Sequence, residues 1–379
     1  MKARAETLVQ GGVALSHDEN GRILFIDGAL PGEEVEVSVD KRTPDYTSCH
    51  VENILCASPD RVFPKCPFYG ECGGCNLQML SDGAQPEVKE NLVRENLRRV
   101  AGIDAVPMDE MTTGPMWGYR LRTRFHVDLA KKEVGYLGRK SNRLVPVDDC
   151  PILEKELNVL LKDKRQLLEQ ARKLMFLNKG KDGLFEVPVI SGKDGLSFGE
   201  EVVHVDALSH CFAVSASVFF QGNRFVLPSM GQFVRDEAVG ERVMDLYSGV
   251  GTFSAFVGKR EKNILVEREP RCLSLARLNV PFGSPFSMDV AKWKGKEKVD
   301  TVIVDPPRGG LLGTVPSLIA SWEPDRVIYM SCNTVTLARD AARFIALGYV
   351  PVRLKVFDLY PQTFEQEACL VFDRKEKEA

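Results

Sequence analysis

The C-terminal part of the chain alternates short apolar strands with helical stretches, and this pattern restricts the fold more than any other feature. Four segments are predicted to be buried parallel strands: residues 242–247, 262–267, 300–305 and 326–331. Parallel strands need long crossover connections, usually helices, so the alternation predicts an open, doubly wound α/β sheet. In such sheets, ligands bind at the carboxyl ends of the strands.

The first of these strands runs into a glycine-rich turn. Gly249 and Gly251 lack side chains, so the backbone here is able to approach a ligand closely. Glu267 ends the second strand at close to the separation of roughly 20 residues at which a carboxylate accepts ribose hydroxyls. Ser254 stands where a dinucleotide-binding turn has its third glycine. A ligand without pyrophosphate, such as S-adenosylmethionine, therefore fits this turn better than NAD.

The third strand leads into Asp305-Pro306-Pro307-Arg308 at the same predicted sheet edge. Enzymes that methylate exocyclic amines of nucleobases carry an aromatic residue after two such prolines, where it stacks on the flipped base. This chain has Arg308 in that place, which argues against amine methylation.

Cys332 follows the fourth strand and is predicted to emerge beside the cofactor turn. C5 of uracil is too poor a nucleophile to attack a methyl sulfonium. Thiolate addition at C6 gives an enolate with carbanion character at C5, so a cysteine in this place predicts covalent catalysis. The alternative is a packed cysteine that acts only as a small apolar residue.

Removal of the C5 proton needs a general base, and two carboxylates near the C-terminus are candidates. Glu365 and Glu367 lie two residues apart and share a face if the segment is extended. The residues alone leave the choice between them open. A late glutamate disfavours a cytosine methyltransferase, whereas a non-catalytic RNA-binding protein would keep the fold without using Cys332.

The chain before residue 241 has a different character. Residues 1–57 alternate short apolar runs, at 22–26 and 35–39 among others, with glycine and proline turns. This pattern predicts a small antiparallel barrel, a fold that commonly binds oligonucleotides. Residues 58–78 are predicted to be irregular, and apolar residues at helical spacing predict helices over 86–100 and 153–177.

The formal net charge of −3 excludes a long-range positive field, so an RNA partner would need a local basic patch. Arg120, Arg122 and Arg124 alternate with period two and are predicted to share one strand face. Guanidinium groups match phosphates or stack on bases, although a solvated face with ion pairs is an equal alternative. Three further cations are predicted to extend the patch: Arg139, Lys140 and Arg143.

The sequence contains neither a secretory leader nor an apolar run long enough to span a membrane, so we expect a cytoplasmic protein with reduced cysteines. Four of its ten cysteines have the spacing of a tetrathiolate site: Cys66, Cys72, Cys75 and Cys150. Spacing alone leaves zinc and iron–sulfur open. Only Cys72 and Cys75 form a Cys-x2-Cys pair, and Pro151 follows the fourth cysteine, which favours a [4Fe-4S] cluster.

Nearly the whole chain resembles the RNA 5-methyluridine methyltransferase family, in particular its iron–sulfur branch that modifies 23S ribosomal RNA. The resemblance rests on the motifs above and on four more: Cys72-Gly73-Gly74-Cys75, Cys150-Pro151-Ile152-Leu153, Phe220-Gln221-Gly222-Asn223 and Tyr360-Pro361-Gln362-Thr363. It implies an α/β protein with a Rossmann-like doubly wound methyltransferase domain at 219–379. A TRAM or OB-type barrel at 1–57 and a central iron–sulfur α+β domain at 58–218 would precede it, with a helix near 79–110 packed on the catalytic domain.

The resemblance also implies roles for individual residues. Cys332 resembles the nucleophile and Glu367 the base, although the family usually has His-Val where this chain has Glu365-Gln366. Five residues resemble cofactor contacts: Gln221, Tyr247, Glu267, Asp289 and Asp305. The implied cofactors are S-adenosylmethionine and a [4Fe-4S] cluster bound by the four cysteines. The implied partner is a single-stranded or opened segment of 23S ribosomal RNA, with tRNA as the alternative, and the expected state is a monomer.

Overall fold

A computed structural model describes residues 1–177, 183–295 and 298–375, and the strands of these residues form four sheets. None of the helices in these ranges is long and apolar enough to cross a membrane.

The first sheet is built entirely from the N-terminal segment. Its six strands are β1 (Lys2–Arg4), β2 (Thr7–Val9), β3 (Val13–His17), β4 (Ile23–Asp27), β5 (Glu34–Arg42) and β6 (Tyr46–Cys56). They lie in the order β1-β5-β6-β4-β3-β2, antiparallel except for β4 beside β6. Alternate residues such as Leu24, Ile26, Val35 and Val37 are buried, as a one-sided core requires. Strands therefore form where the sequence predicts them at 22–26 and 35–39.

The segment that follows, residues 57–84, contains turns and isolated bridges but no helix or strand, as predicted for 58–78. It ends at α1 (Gln85–Ala101), close to the predicted helix over 86–100. Val93 and Leu97 of this helix enter the same core as residues of the C-terminal sheet.

The second sheet has five antiparallel strands in the order β11-β10-β7-β8-β9, covered by two helices. The elements are β7 (Arg122–Asp128), β8 (Glu133–Leu137), β9 (Leu144–Pro146), α2 (Lys155–Asp163), α3 (Arg165–Phe176), β10 (Leu184–Gly192) and β11 (Gly195–Ser197). The prediction of a single helix over 153–177 is wrong in one respect. Lys164 has φ of 59°, in the left-handed region, so the chain breaks there into two helices.

A two-stranded hairpin and a helix connect this region to the last sheet. They are β12 (Val203–Ala207), β13 (His210–Val214) and α4 (Leu227–Glu237). The remaining elements are β14 (Arg242–Leu246), α5 (Thr252–Val257), β15 (Lys262–Glu267), α6 (Pro270–Asn279), β16 (Ser284–Ser287), a 3-10 turn (Val290–Lys292), β17 (Thr301–Val304), α7 (Val315–Ser321), β18 (Arg326–Ser331), α8 (Thr334–Ala346), β19 (Tyr349–Phe357) and β20 (Glu367–Arg374).

The last sheet has seven strands in the order β16-β15-β14-β17-β18-β20-β19. The four predicted parallel strands, β14, β15, β17 and β18, are confirmed. From β14, the chain first builds outward through β15 and β16 and then returns to add β17 on the other side. The crevice at the carboxyl ends of β14 and β17 is therefore a topological switch point, where open α/β sheets bind ligands.

Candidate active site

The carboxyl edge of the last sheet brings together side chains from five strands. Tyr247, Asp305 and Cys332 directly follow β14, β17 and β18, and Glu267 ends β15. Because β20 runs antiparallel to β18, its first residue, Glu367, lies at the same edge. All five side chains line one cavity of about 1050 Å³, which we call the catalytic cavity.

One side of the catalytic cavity is formed by the glycine-rich turn. Glu267 accepts hydrogen bonds from the backbone N–H groups of Gly249 (3.1 Å) and Glu269 (2.8 Å), which fix its carboxylate. Gly251 has φ of 80°, and a Cβ there would lie 2.7 Å from Val280, so glycine is required. Asp289 also lines the cavity, and its Oδ1 accepts from the N–H of Ala291 at 2.9 Å.

Three buried oxygens on this side have no hydrogen-bond partner in the described residues: Gln221 Oε1, Asp245 Oδ1 and Ser248 Oγ. Unpaired polar atoms in a protein interior cost free energy unless a ligand or water satisfies them. Gln221 and Ser248 also line the catalytic cavity. Together with the oriented carboxylate of Glu267, these atoms fit a polar nucleoside ligand.

The other side of the cavity carries the candidate nucleophile. Burial, and secondly the neighbouring carboxylate of Glu367, raises the pKa of the Cys332 thiol to about 12, while Arg308 opposes this shift. Burial and then the charge of Asp305 also raise the pKa of Glu367 well above its ordinary value. The pKa of Asp305 itself is raised to about 7, by burial and by Asp245. Buried carboxyl groups with raised pKa values are typical of catalytic sites.

The two candidate bases have different surroundings. Glu365 forms an ion pair with Arg308 at 2.8 Å, whereas Glu367 is buried and its Oε2 has no partner in the described residues. Nothing in the sequence indicates that Arg308 is the partner of Glu365. Asn333 and Thr336 donate hydrogen bonds to the carbonyl of Arg308, and these bonds attach the Arg308 loop to the start of α8.

The segment that carries both glutamates is held by α1, which sequence reasoning did not assign to the site. The buried Lys89 pairs with Asp358 at 2.6 Å and donates to the carbonyls of Tyr360 and Glu365, each at 3.1 Å. Gln85 exchanges hydrogen bonds with Gln362. The sequence did contain a signal, because two polar residues occupy the stripe of α1 that also carries Val93 and Leu97.

The four predicted ligand cysteines line a second cavity of about 360 Å³, which we call the cysteine cavity. The sulfur of Cys72 accepts a hydrogen bond from the backbone N–H of Gly74 at 3.4 Å. Burial raises the pKa of Cys75 to about 11 and that of Cys150 to about 12. Within the described ranges, no three His, Cys, Asp or Glu residues form a site for a metal ion.

The three arginines that were predicted to share one strand face lie at the cysteine cavity. Arg120, Arg122 and Arg124 all line it, and Arg120 also lines the catalytic cavity. Arg120 lies over the Tyr360 ring and Arg122 over Phe219, while Arg124 pairs with Glu186 at 3.1 Å. The three cations that were predicted to extend the patch form ion pairs within the protein. Arg139 and Lys140 pair with Asp27, and Arg143 pairs with Glu71.

The chain is similar along almost its entire length to bacterial RNA-modifying enzymes. It is 30% identical to the 23S rRNA (uracil(1939)-C(5))-methyltransferase RlmD of Vibrio parahaemolyticus, over 93% of this chain and 91% of the relative. The chain belongs to the RNA uracil-C5 methyltransferase family. The RlmD of Shewanella amazonensis is 29% identical to this member, over 94% of the chain and 92% of the relative. Residues 291–375 match the family model described as tRNA (Uracil-5-)-methyltransferase.

A solved structure supports the same fold. The tRNA (uracil-54, C5)-methyltransferase of Pyrococcus abyssi, in complex with S-adenosyl-L-homocysteine, superposes with a TM-score of 0.73 and 22% identity, covering 98% of this chain and all of the other. The protein is therefore an RNA uracil-C5 methyltransferase with a mixed α/β methyltransferase fold. This membership favours uracil C5 over the exocyclic amine and cytosine alternatives, and over a non-catalytic RNA-binding protein.

Proposed function

We propose that this protein uses S-adenosylmethionine to methylate C5 of a uridine in 23S ribosomal RNA, with Cys332 as nucleophile and Glu367 as base. One observation carries the assignment of roles. Ser331 and Ala368 are paired residues of β18 and β20, so Cys332 and Glu367, their respective neighbours, lie at the same sheet edge and line the catalytic cavity.

The choice of 23S ribosomal RNA is supported by the relatives that carry this substrate in their names, because they match more than nine tenths of both chains. A tRNA substrate is the second candidate, favoured by the description of the family model and by the Pyrococcus enzyme. Mass analysis of both RNA classes after incubation with the protein distinguishes the two.

The proposed reaction begins when Cys332 Sγ forms a bond to C6 of the uracil, which places carbanion character on C5. S-adenosylmethionine, when bound, would supply the electrophilic methyl carbon that C5 attacks, and it would leave as S-adenosylhomocysteine when the bond between its sulfur and the methyl carbon breaks. Glu367 then removes the remaining proton from C5, the C5=C6 double bond forms again, and the bond between Sγ and C6 breaks. A raised pKa makes the Glu367 carboxylate a strong base once it is ionised.

The residues around the glycine-rich turn fit the methyl donor. Glu267 is oriented to accept the ribose hydroxyls, and the unpaired oxygens of Gln221 and Ser248 offer polar contacts within the cavity. We assign Tyr247, Asp289 and Asp305 as the remaining contacts, since all three line the same cavity.

We further propose that Cys66, Cys72, Cys75 and Cys150 bind a [4Fe-4S] cluster. All four cysteines line one cavity, and the N–H of Gly74 that is directed at the Cys72 sulfur is a hydrogen bond of the kind that tunes such clusters. Metal coordination would also offset the raised thiol pKa values, because a coordinating thiol is deprotonated.

In this proposal, residues 1–57 form a TRAM-type barrel, residues 58–218 the iron–sulfur domain and residues 219–379 the methyltransferase domain. Residues 178–182 of the second of these, and residues 296–297 and 376–379 of the third, lie outside the described residues. The protein would act as a monomer in the cytoplasm, where cysteine ligands stay reduced.

Incubation with RNA that contains 5-fluorouridine tests the mechanism. Fluorine on C5 cannot leave as a proton, so a covalent protein–RNA complex should accumulate in the presence of S-adenosylmethionine and should be visible on a denaturing gel. Cys332→Ala should form no complex. On natural RNA, Glu367→Gln should trap the methylated adduct, whereas Glu365→Gln should not. Trapping by Glu365→Gln alone would show that Glu365 is the base.

A further inference from the structure

Asn76, the residue directly after Cys75, connects three parts of the molecule. Its backbone N–H donates to the carbonyl of Gln362 at 3.2 Å, and its side-chain Oδ1 accepts from the N–H of Phe364 at 2.8 Å. Its Nδ2 donates to the carbonyl of Gly11, in the N-terminal sheet region, at 3.3 Å. The backbone N–H of Leu77 also donates to Gln362, at 3.0 Å. We call residues 72–77 the cysteine loop, and this loop binds both ends of the short segment 362–364.

This segment determines where the two candidate bases lie. Gln362 has φ of 68°, an unfavourable value for a residue with a side chain, so the turn needs support from its surroundings. The N–H of Glu365 donates to Thr363 Oγ1 at 3.2 Å, and β20 begins at Glu367. A shift of the segment would therefore move the carboxylates relative to Cys332, and displacements of about 1 Å in an active site are costly for the rate.

We propose that Asn76 is a positioning residue that sets the base for the proton-removal step and thereby couples the cysteine loop to that step. The inference rests on the proposed function of Cys332 and Glu367. Asn76 also lines the catalytic cavity, but it acts through the backbone of Phe364. Cys332 and three of the proposed cofactor contacts, Tyr247, Glu267 and Asp305, lie at the ends of β14, β15, β17 and β18, and Asn76 has no hydrogen bond to these strands within the described residues. Its loss should slow resolution of the adduct more than its formation.

Two variants of Asn76 separate positioning from general folding. Asn76→Ala removes the acceptor for the Phe364 N–H. Asn76→Asp keeps an oxygen that accepts from the Phe364 N–H, but it loses the donor to Gly11 and adds a negative charge to the wall of the catalytic cavity. In single-turnover reactions on natural RNA, we expect Asn76→Ala to accumulate the methylated covalent adduct and to resolve it at least tenfold more slowly than the wild type. Asn76→Asp should resolve it within about threefold of the wild-type rate.

Three measurements keep the result interpretable. The dissociation constant for S-adenosylmethionine, the melting temperature and the rate of adduct formation with 5-fluorouridine RNA should stay close to the wild-type values in both variants. Resolution at the wild-type rate in Asn76→Ala would overturn the proposal. So would equal slowing of adduct formation and resolution, since this would indicate a general disturbance of the site. If the wild type itself forms no adduct with 5-fluorouridine RNA, it is the proposed function that fails.

Discussion

The thiol of Cys332 and the carboxyl of Glu367 both have pKa values raised by burial, with that of Cys332 at about 12. At neutral pH, the sulfur of the free protein is therefore overwhelmingly a thiol, and thiolate is the reactive form. The positive charge of Arg308 opposes this shift, but Arg308 is paired with Glu365. RNA that binds to this site therefore meets mostly the unreactive thiol form of Cys332.

This protonation state predicts the pH dependence of adduct formation. Below a pKa of about 12, the thiolate fraction rises about tenfold per pH unit, so the single-turnover rate with 5-fluorouridine RNA should rise steeply between about pH 6 and 8. The dissociation constant for the RNA, measured over the same range, serves as the control. A rate that is flat over these two units would mean that RNA binding lowers the thiol pKa below the range tested.

The residues of the site differ in how well the sequence reveals them. Tyr247, Glu267, Asp305 and Cys332 directly follow or end strands whose apolar runs are easy to recognise, so their meeting at one edge was predictable. The choice between Glu365 and Glu367 as the base was not predictable from the residues alone. It depends on the ion pair with Arg308, which lies far away in sequence and becomes visible only in three dimensions.

At the scale of elements, α1 joins the segment that carries the cysteines to the core of the C-terminal sheet. It follows the cysteine loop, yet its buried face packs into the core of the catalytic sheet, and Asn96 donates to Thr334 at the start of α8 at 2.6 Å. Apolar spacing predicted the helix but not its partner, because spacing does not identify the surface against which a stripe packs; only the family resemblance implied packing on the catalytic domain. The break at Lys164 was equally hidden, since neither glycine nor proline marks it.

The buried pair of Lys89 and Asp358 anchors α1 to the segment that carries the bases. Lys89→Met should lower the free energy of unfolding by about 3–5 kcal/mol, because it leaves the Asp358 carboxylate buried without its cation. The double variant Lys89→Met/Asp358→Leu should recover most of this loss in urea titrations. Arg98→Ala, which breaks an exposed pair with Glu95 on the same helix, is the control and should change little. A loss below about 1 kcal/mol for Lys89→Met would contradict the assigned role of the pair.

For the whole molecule, the two cavities are adjacent and share part of their walls. Gly74, Arg120, Phe219, Phe220 and Tyr360 line both of them. The net charge of −3 provides no general attraction for RNA, so binding must depend on local groups such as Arg120 at this shared wall and Arg122 in the cysteine cavity. The cysteine loop forms part of the same wall, which makes the proposed cluster a support for the RNA-binding surface.

Replacement of one cysteine tests this arrangement. Cys72→Ser should abolish the brown absorbance of the purified protein and weaken RNA binding on the order of tenfold, comparable to the loss of one stacking or phosphate contact. The affinity for S-adenosylmethionine should stay unchanged, because none of the five proposed cofactor contacts lines the cysteine cavity. Cys56→Ser, at an exposed cysteine outside both cavities, is the matched control. An ultraviolet–visible spectrum that is unchanged in Cys72→Ser would refute the proposed cluster, since the loss of one of its four thiolate ligands should change or remove its absorbance.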